Sequence, residues 1–217
     1  IPAVPQPRES AVSQPAIDAP RRRAELVRRT LAARGLGEAV TFSFVSQKAA
    51  LMFGGGRPEL RLVNPISAEL DAMRPSVLPG LVEAARRNAD RGFPDVALFE
   101  LGPLYRDDTP AGQLTAAAGL RAGRLGPRHW RDRARPADLY AAKADALAAI
   151  AAAGGPVDSL QAVADPPPWY HPGRAGTLRL GAKVVGHFGE LHPAILEAFA
   201  AAGPIAAFEV FLDALPP

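Results

Sequence analysis

Two apolar runs, VALFELGPLY (Val96 to Tyr105) and LTAAAGL (Leu114 to Leu120), flank the turn-forming segment Asp107-Asp108-Thr109-Pro110-Ala111-Gly112. Strand-forming runs on either side of a turn predict an antiparallel hairpin. A second hairpin is expected from Thr177–Leu180 and Lys183–Phe188 across Gly181-Ala182. Strands joined locally, with helical stretches before, between and after them, specify an α+β fold. The expected architecture is an antiparallel β-sheet flanked by helices, with the helices on one face.

The rest of the chain fits this frame. Asp18 and Pro20 start a helix in which Ala24, Val27 and Leu31 recur at helical spacing, and Gly35 and Gly37 end it. Glu38 to Ser46 alternates, which predicts a strand with Val40, Phe42 and Phe44 on one face. Ser46 caps a short helix to Phe53, and Gly54-Gly55-Gly56 forms a flexible turn. Glu59 to Val63 reads as a strand. Asn64 to Leu81, NPISAELDAMRPSVLPGL, reads as strand exit, structured loop and helix entry. Ser67 caps a turn there, and a helix runs from Pro79 to Arg91. Further on, Pro136 to Ala153 predicts a helix buried through Leu139/Tyr140, Lys143, Leu147 and Ile150. A strand is expected at Val157–Val163, an exposed loop at Asp165–Gly176, a helix from Pro193 to Ala202 and a final alternating strand at Ala206–Leu212.

Composition narrows the class. The 217 residues suffice for one sizeable core, and 48% are apolar, so the chain is globular. It contains no cysteine, which excludes disulfides and Cys-ligated zinc and fits a reducing compartment. The net charge is +3, but lysine occurs only at positions 48, 143 and 183. Arginine, alanine and proline are all enriched, which points to a GC-rich genome more than to a nucleic-acid face. No uncharged segment is longer than Ala146 to Val157, which is far short of the ~20 residues of a membrane span. Residues 1–18 are Pro-rich, read as a linker from a preceding domain, and 19–217 as one module. These features together predict a soluble piece of a longer protein, and the expected compartment is the cytoplasm.

Sites for chemistry are sparse. His187, Glu190 and His192 lie close in sequence, but strand parity directs 187 and 192 to opposite faces, against a zinc site. His171 and Arg174, with Trp169 and Tyr170, could contact a nucleotide or a partner. Arg106 and Asp108, at a strand end, could clamp a phosphate and orient an amine. No glycine-rich phosphate loop or nucleophile elbow is present.

NPISAELDAMRPSVLPGLVEAARRN, DVALFELGPLYR, YHPGRAG, GHFGELHPAILEAF and GPIAAFEVFLDAL follow one another in this order. Together they resemble the bacterial phenylalanyl-tRNA synthetase beta chain, from about Arg21 to Leu215. The resemblance implies a copy of the class II aminoacyl-tRNA synthetase catalytic fold. Residues 19–46 then resemble motif 1, the interface element, and residues 96–120 the motif 2 hairpin. Tyr105-Arg106-Asp107-Asp108 is similar to a degraded motif 2, with Asp in place of Glu. Residues 206–215 are similar to a degenerate motif 3. There Glu209 and Phe211 replace glycines against which adenine would lie, and Ala214 replaces the arginine that would stack on it.

The resemblance implies a structural, interface-forming module without catalytic residues or cofactor of its own. Its partner would be the catalytic alpha chain, in a heterotetramer of two alpha and two beta chains. ATP and Mg2+ would serve that parent ligase, and tRNA(Phe) would be met by the whole complex. The isolated module is expected to self-associate through its motif 1 helix. Asn64, Ser67, Arg74, Ser76, Arg106 and Asp108 are candidates for the interface or a vestigial cleft. His171, Arg174, Glu190, His192 and Glu209 complete that set. The alternative is an RNA-binding module acting through Arg121, Arg124, Arg128, Arg131, Arg133 and Arg135.

Overall fold

The computed structural model describes residues 17–126, 130 and 135–216. The first sixteen residues of the expected linker, and Arg128, Arg131 and Arg133 of the arginine-rich segment, lie outside that range. In chain order the elements are α1 (Ala19–Ala33), β1 (Gly37–Glu38), β2 (Phe44–Val45), α2 (Gln47–Met52), β3 (Ala72–Met73) and α3 (Leu78–Asp90). They continue with β4 (Val96–Tyr105), β5 (Gln113–Ala122), β6 (Arg124–Leu125), β7 (Arg135–Pro136), α4 (Leu139–Ala152) and β8 (Gln161–Val163). The last four are β9 (Tyr170–Leu180), β10 (Lys183–Leu191), α5 (Pro193–Ala198) and β11 (Ile205–Phe211).

Seven strands form the main sheet in the order β1-β4-β5-β11-β10-β9-β8. Every neighbouring pair is antiparallel except β1–β4. Both predicted hairpins are present, as β4–β5 and β9–β10. The fold is α+β, but its helices cover both faces. On one face α1 and α4 pack with Phe99, Leu178, Val185, Ala206, Phe208 and Val210. On the other, Leu78, Leu81, Val82 and Ala85 of α3 pack with Leu104, Leu120, Ile205, Ala207 and Phe211, and Ile195 of α5 joins them. The middle strand, β11, is therefore buried at all seven positions rather than wet on one side.

Several sequence expectations give way for physical reasons. The strand expected over Glu38–Ser46 breaks into β1 and β2, because Thr41 is drawn out of the ladder. Its N–H and hydroxyl both donate to the Glu100 carboxylate, at 3.1 and 2.7 Å. Val40 and Phe42 consequently point to solvent, 91% and 67% exposed. No strand forms at Glu59–Val63. Pro58 opens a single tight turn, and only Arg61 makes a β-bridge, to Ala72. Part of Asp165–Gly176 is not loop, since β9 begins at the fully buried Tyr170. Val157–Ser159 is a helical turn, and only Gln161–Val163 is strand. α5 ends at Ala198, four residues before the expected Ala202.

The buried face of α4 also differs from the expected one. Ala142, Asp145, Ala146, Ala149 and Ile150 face the protein, and Tyr140 is exposed. Alanine lets the helix lie close to the sheet. Gly119 of β5 serves the same close packing, as a Cβ there would meet the Phe208 ring at 2.6 Å. Asp145 is tolerated because Arg34 and Arg121 donate to it at 2.7 and 2.6 Å. Gly54 and Gly55 are likewise more than a flexible turn: a Cβ would meet Trp169 at 2.9 Å and Pro75 at 2.7 Å.

Candidate functional site: a cleft over the middle strand

The segment from Arg74 to Gly80, the link from β3 and the first turn of α3, builds one side of the site through three anchors. Arg74, 1% exposed, meets Glu100 of β4 at 2.8 Å. It also donates from Nε to the Pro103 carbonyl at 2.8 Å and from Nη1 to the Thr41 hydroxyl at 3.0 Å. Gly102 leaves room for the guanidinium, since a Cβ there would sit 2.3 Å from Nη2. Ser76 donates its hydroxyl to Glu209 Oε1 at 2.9 Å, and the Val77 N–H donates to the same oxygen at 2.8 Å. Gly80, in the first turn of α3, lets Thr41 approach, as a Cβ would meet Thr41 Oγ1 at 2.4 Å.

Beyond these anchors lies a cavity of about 500 Å³, open to solvent. Phe53, Leu104, Trp169, Val184 and Phe211 give it apolar walls; Arg57, Arg106, His187 and Glu209 give it polar ones. The aromatic rings meet at angles that favour contact: Phe53 to Trp169 centroids are 5.8 Å apart, and His187 to Phe211 5.6 Å apart at 80°. The Arg106 guanidinium lies 5.6 Å from the Phe211 ring centroid. Glu209, 2% exposed, has its pKa pushed up to about 7 by burial, against the opposing effect of the Val77 and Ser76 hydrogen bonds. His187 is lowered to about 4, chiefly by burial and then by the Arg179 and Arg106 charges. The Thr177 hydroxyl donates to the Asp165 carbonyl at 2.6 Å, so it accepts from His187 Nδ1–H across 2.9 Å. His187 Nε2 is thus left as an acceptor. Burial also raises Tyr170 well above its ordinary value, so its hydroxyl stays protonated.

The eleven candidates separate sharply. Arg106 and Glu209 line the cleft, and Arg74 and Ser76 support it from behind. Asn64 and Ser67 are exposed on a loop away from it. Asp108 is exposed at the hairpin tip; its neighbour Asp107 orders that tip by accepting from the Thr109 N–H at 2.9 Å. His171 accepts from the Gly173 N–H at 3.1 Å, and Arg174 pairs with Glu190 at 3.1 Å. His192 caps α5 by accepting from Ala194 N–H at 3.1 Å. These four hold β9, β10 and α5 locally.

Of the arginine-rich segment, Arg121 is engaged with Asp145, and Arg124 with Asp95 at 2.7 Å. Sequence reasoning set His187 aside as a failed zinc ligand and did not single out Phe53 or Arg57. Among the described residues, no group of His, Asp and Glu is placed to hold a metal ion.

The family model for the phenylalanyl tRNA synthetase beta chain CLM domain matches residues 5–212. This chain belongs to that family. The phenylalanine–tRNA ligase beta subunit of Paramagnetospirillum magneticum is 58% identical over all of this chain and 27% of its own length. That of Rhodospirillum rubrum is 55% identical, again over all of this chain and 27% of the relative. The CLM domain therefore spans about a quarter of the curated relatives it matches. Pyrrolysyl-tRNA synthetase of Desulfitobacterium hafniense shares the fold at a TM-score of 0.63 and 17% identity, covering 88% of this chain and 66% of that one. The CLM domain accordingly has the class II synthetase catalytic-like architecture, and its cleft is lined by residues of β4, β10 and β11.

Proposed function

We propose that this CLM domain is a non-catalytic structural module of a phenylalanine–tRNA ligase beta subunit, supporting the catalytic alpha subunit. The observation that carries the reading is the floor of the cleft. Glu209 and Phe211 lie on β11 where the resemblance to class II enzymes calls for glycines. Glu209 is fixed by Ser76 and Val77, and Arg106 already covers Phe211. An adenine ring would meet two large side chains, and a triphosphate would meet a carboxylate. The residues present do not fit ATP, so ATP and Mg2+ belong to the alpha subunit in this reading. The ligase would be a cytoplasmic assembly of two alpha and two beta chains that meets tRNA(Phe) as a whole.

The docking surface for the partner is the segment after β1. Val40 and Phe42 stand exposed there, and Val63 and Ile66, on the loop before β3, are 101% and 77% exposed. This shifts the expected apolar patch from helix α1, where Leu26 is 42% exposed, to the segment that follows. Titration calorimetry with ATP and magnesium tests the first half of the proposal: no saturable heat is expected, and micromolar binding that Phe211→Ala alters would refute it. Co-expression with a matching alpha subunit tests the second half. Phe42→Asp is expected to abolish co-purification while leaving the fold intact by circular dichroism.

A further inference from the structure

The cleft is unsuited to ATP, yet it is lined as a binding site. Deep in it stand two acceptors: the Glu209 carboxyl, whose Oε1 alone carries the Ser76 and Val77 hydrogen bonds, and neutral His187 with Nε2 unprotonated. Trp169 lines the same cavity with its ring, while its Nε1 and the neighbouring Tyr170 hydroxyl are buried out of reach of solvent. The carboxyl and the imidazole stand among aromatic walls. At the mouth is Arg106, with no carboxylate of the described residues within ion-pair distance, and Arg57, loosely paired with Glu59 at 3.5 Å.

We infer that the cleft binds a small aromatic acid carrying a hydroxyl at the end opposite its anionic group. A hydroxyl matches the deep end, since it donates to Glu209 or His187, the two acceptors lining it. The ring lies among Phe53, Trp169 and Phe211, and the anion meets Arg106. A cavity of about 500 Å³ accommodates such a molecule with room to spare. Gly54 and Gly55 keep the rim close-fitting, because any side chain there would displace Trp169 or Pro75. No bond is made or broken: the inference concerns binding alone and stands apart from partner docking.

The probe is 4-hydroxyphenylacetate, with phenylacetate lacking the hydroxyl and 4-hydroxyphenylacetamide lacking the charge. The chain has two tryptophans, so Trp130→Phe leaves Trp169 as the single fluorescent reporter in the cleft wall. Saturable quenching by 4-hydroxyphenylacetate is expected, in the sub-millimolar range usual for a ligand of this size. Each control compound should bind about tenfold more weakly. Arg106→Gln, on the exposed rim, should weaken both acids by about tenfold and leave the amide unchanged. Glu209→Gln keeps an oxygen for Ser76 and Val77, and should erase the preference for the hydroxylated acid. Absence of saturable quenching would overturn the inference. So would equal affinity for all three compounds, or folded Arg106→Gln and Glu209→Gln variants that bind like the parent.

Discussion

Arg74 and Glu100 form an ion pair whose side chains are 2% and 3% exposed, and such a pair has asymmetric energetics. Desolvation offsets much of its attraction, but removing one partner strands the other charge in the core. Arg74→Ala is therefore expected to destabilise the chain by about 3–5 kcal/mol in urea unfolding. Gly102→Ala should act in the same direction by displacing the guanidinium. Glu209 and His187 set a pH dependence with opposing signs. The folded-state pKa of Glu209, about 7, lies above its ordinary value of 4.5, so the fold holds a proton that the unfolded chain has lost. Its contribution is full below about pH 4.5 and is lost as pH rises towards 7. His187, lowered from 6.5 to about 4, binds its proton more readily in the unfolded chain, so its contribution grows over pH 4 to 6.5. The two largely mask each other. The stability difference between the parent and Glu209→Gln isolates the carboxyl, and should move against the parent by roughly 3 kcal/mol between pH 4.5 and 7. A flat difference would show that Glu209 titrates normally.

At the scale of elements, the sequence was most legible where a residue type has a local reason. Asp18 caps α1 by accepting from the Arg21 N–H, Ser46 caps α2, and Gly181 lets the chain turn between β9 and β10. It was least legible in α4, where alanine occupies nearly every face and leaves no periodicity to read. The contacts with β10, β11 and α1 decide that Ala146 and Ala149 face inward. Ala146→Leu is expected to cost about 1–3 kcal/mol by overpacking, measured as a lower denaturation midpoint with unchanged m-value. An exposed control, Tyr140→Leu, should be nearly neutral.

The whole molecule is a sheet sealed by helices on both faces, with an open cleft over part of one face. Its supports are long-range. Glu209 sits on the middle strand, yet its hydrogen bonds come from residues 76 and 77. Thr41, Arg74 and Glu100 join three separate segments. Within Asn64 to Leu81 only the second half, from Arg74, supports the cleft, while Asn64 and Ser67 lie outside it. The exposed Val40, Phe42, Val63 and Ile66 lead to a further expectation. Without its partner, the chain should self-associate at micromolar concentration in light scattering, and Phe42→Asp should restore the monomer.

By itself the sequence determined the hairpins, the caps, the α+β class and the family, because each rests on residues close in the chain or on an ordered series of blocks. It also marked Arg106 and Glu209. Only the tertiary structure decided that helices cover both faces, that Thr41 breaks a strand, and that His187 and Trp169 share a cleft with Glu209. Those facts depend on which distant groups satisfy a buried carboxylate or leave a buried donor unpaired, and local periodicity carries no record of that.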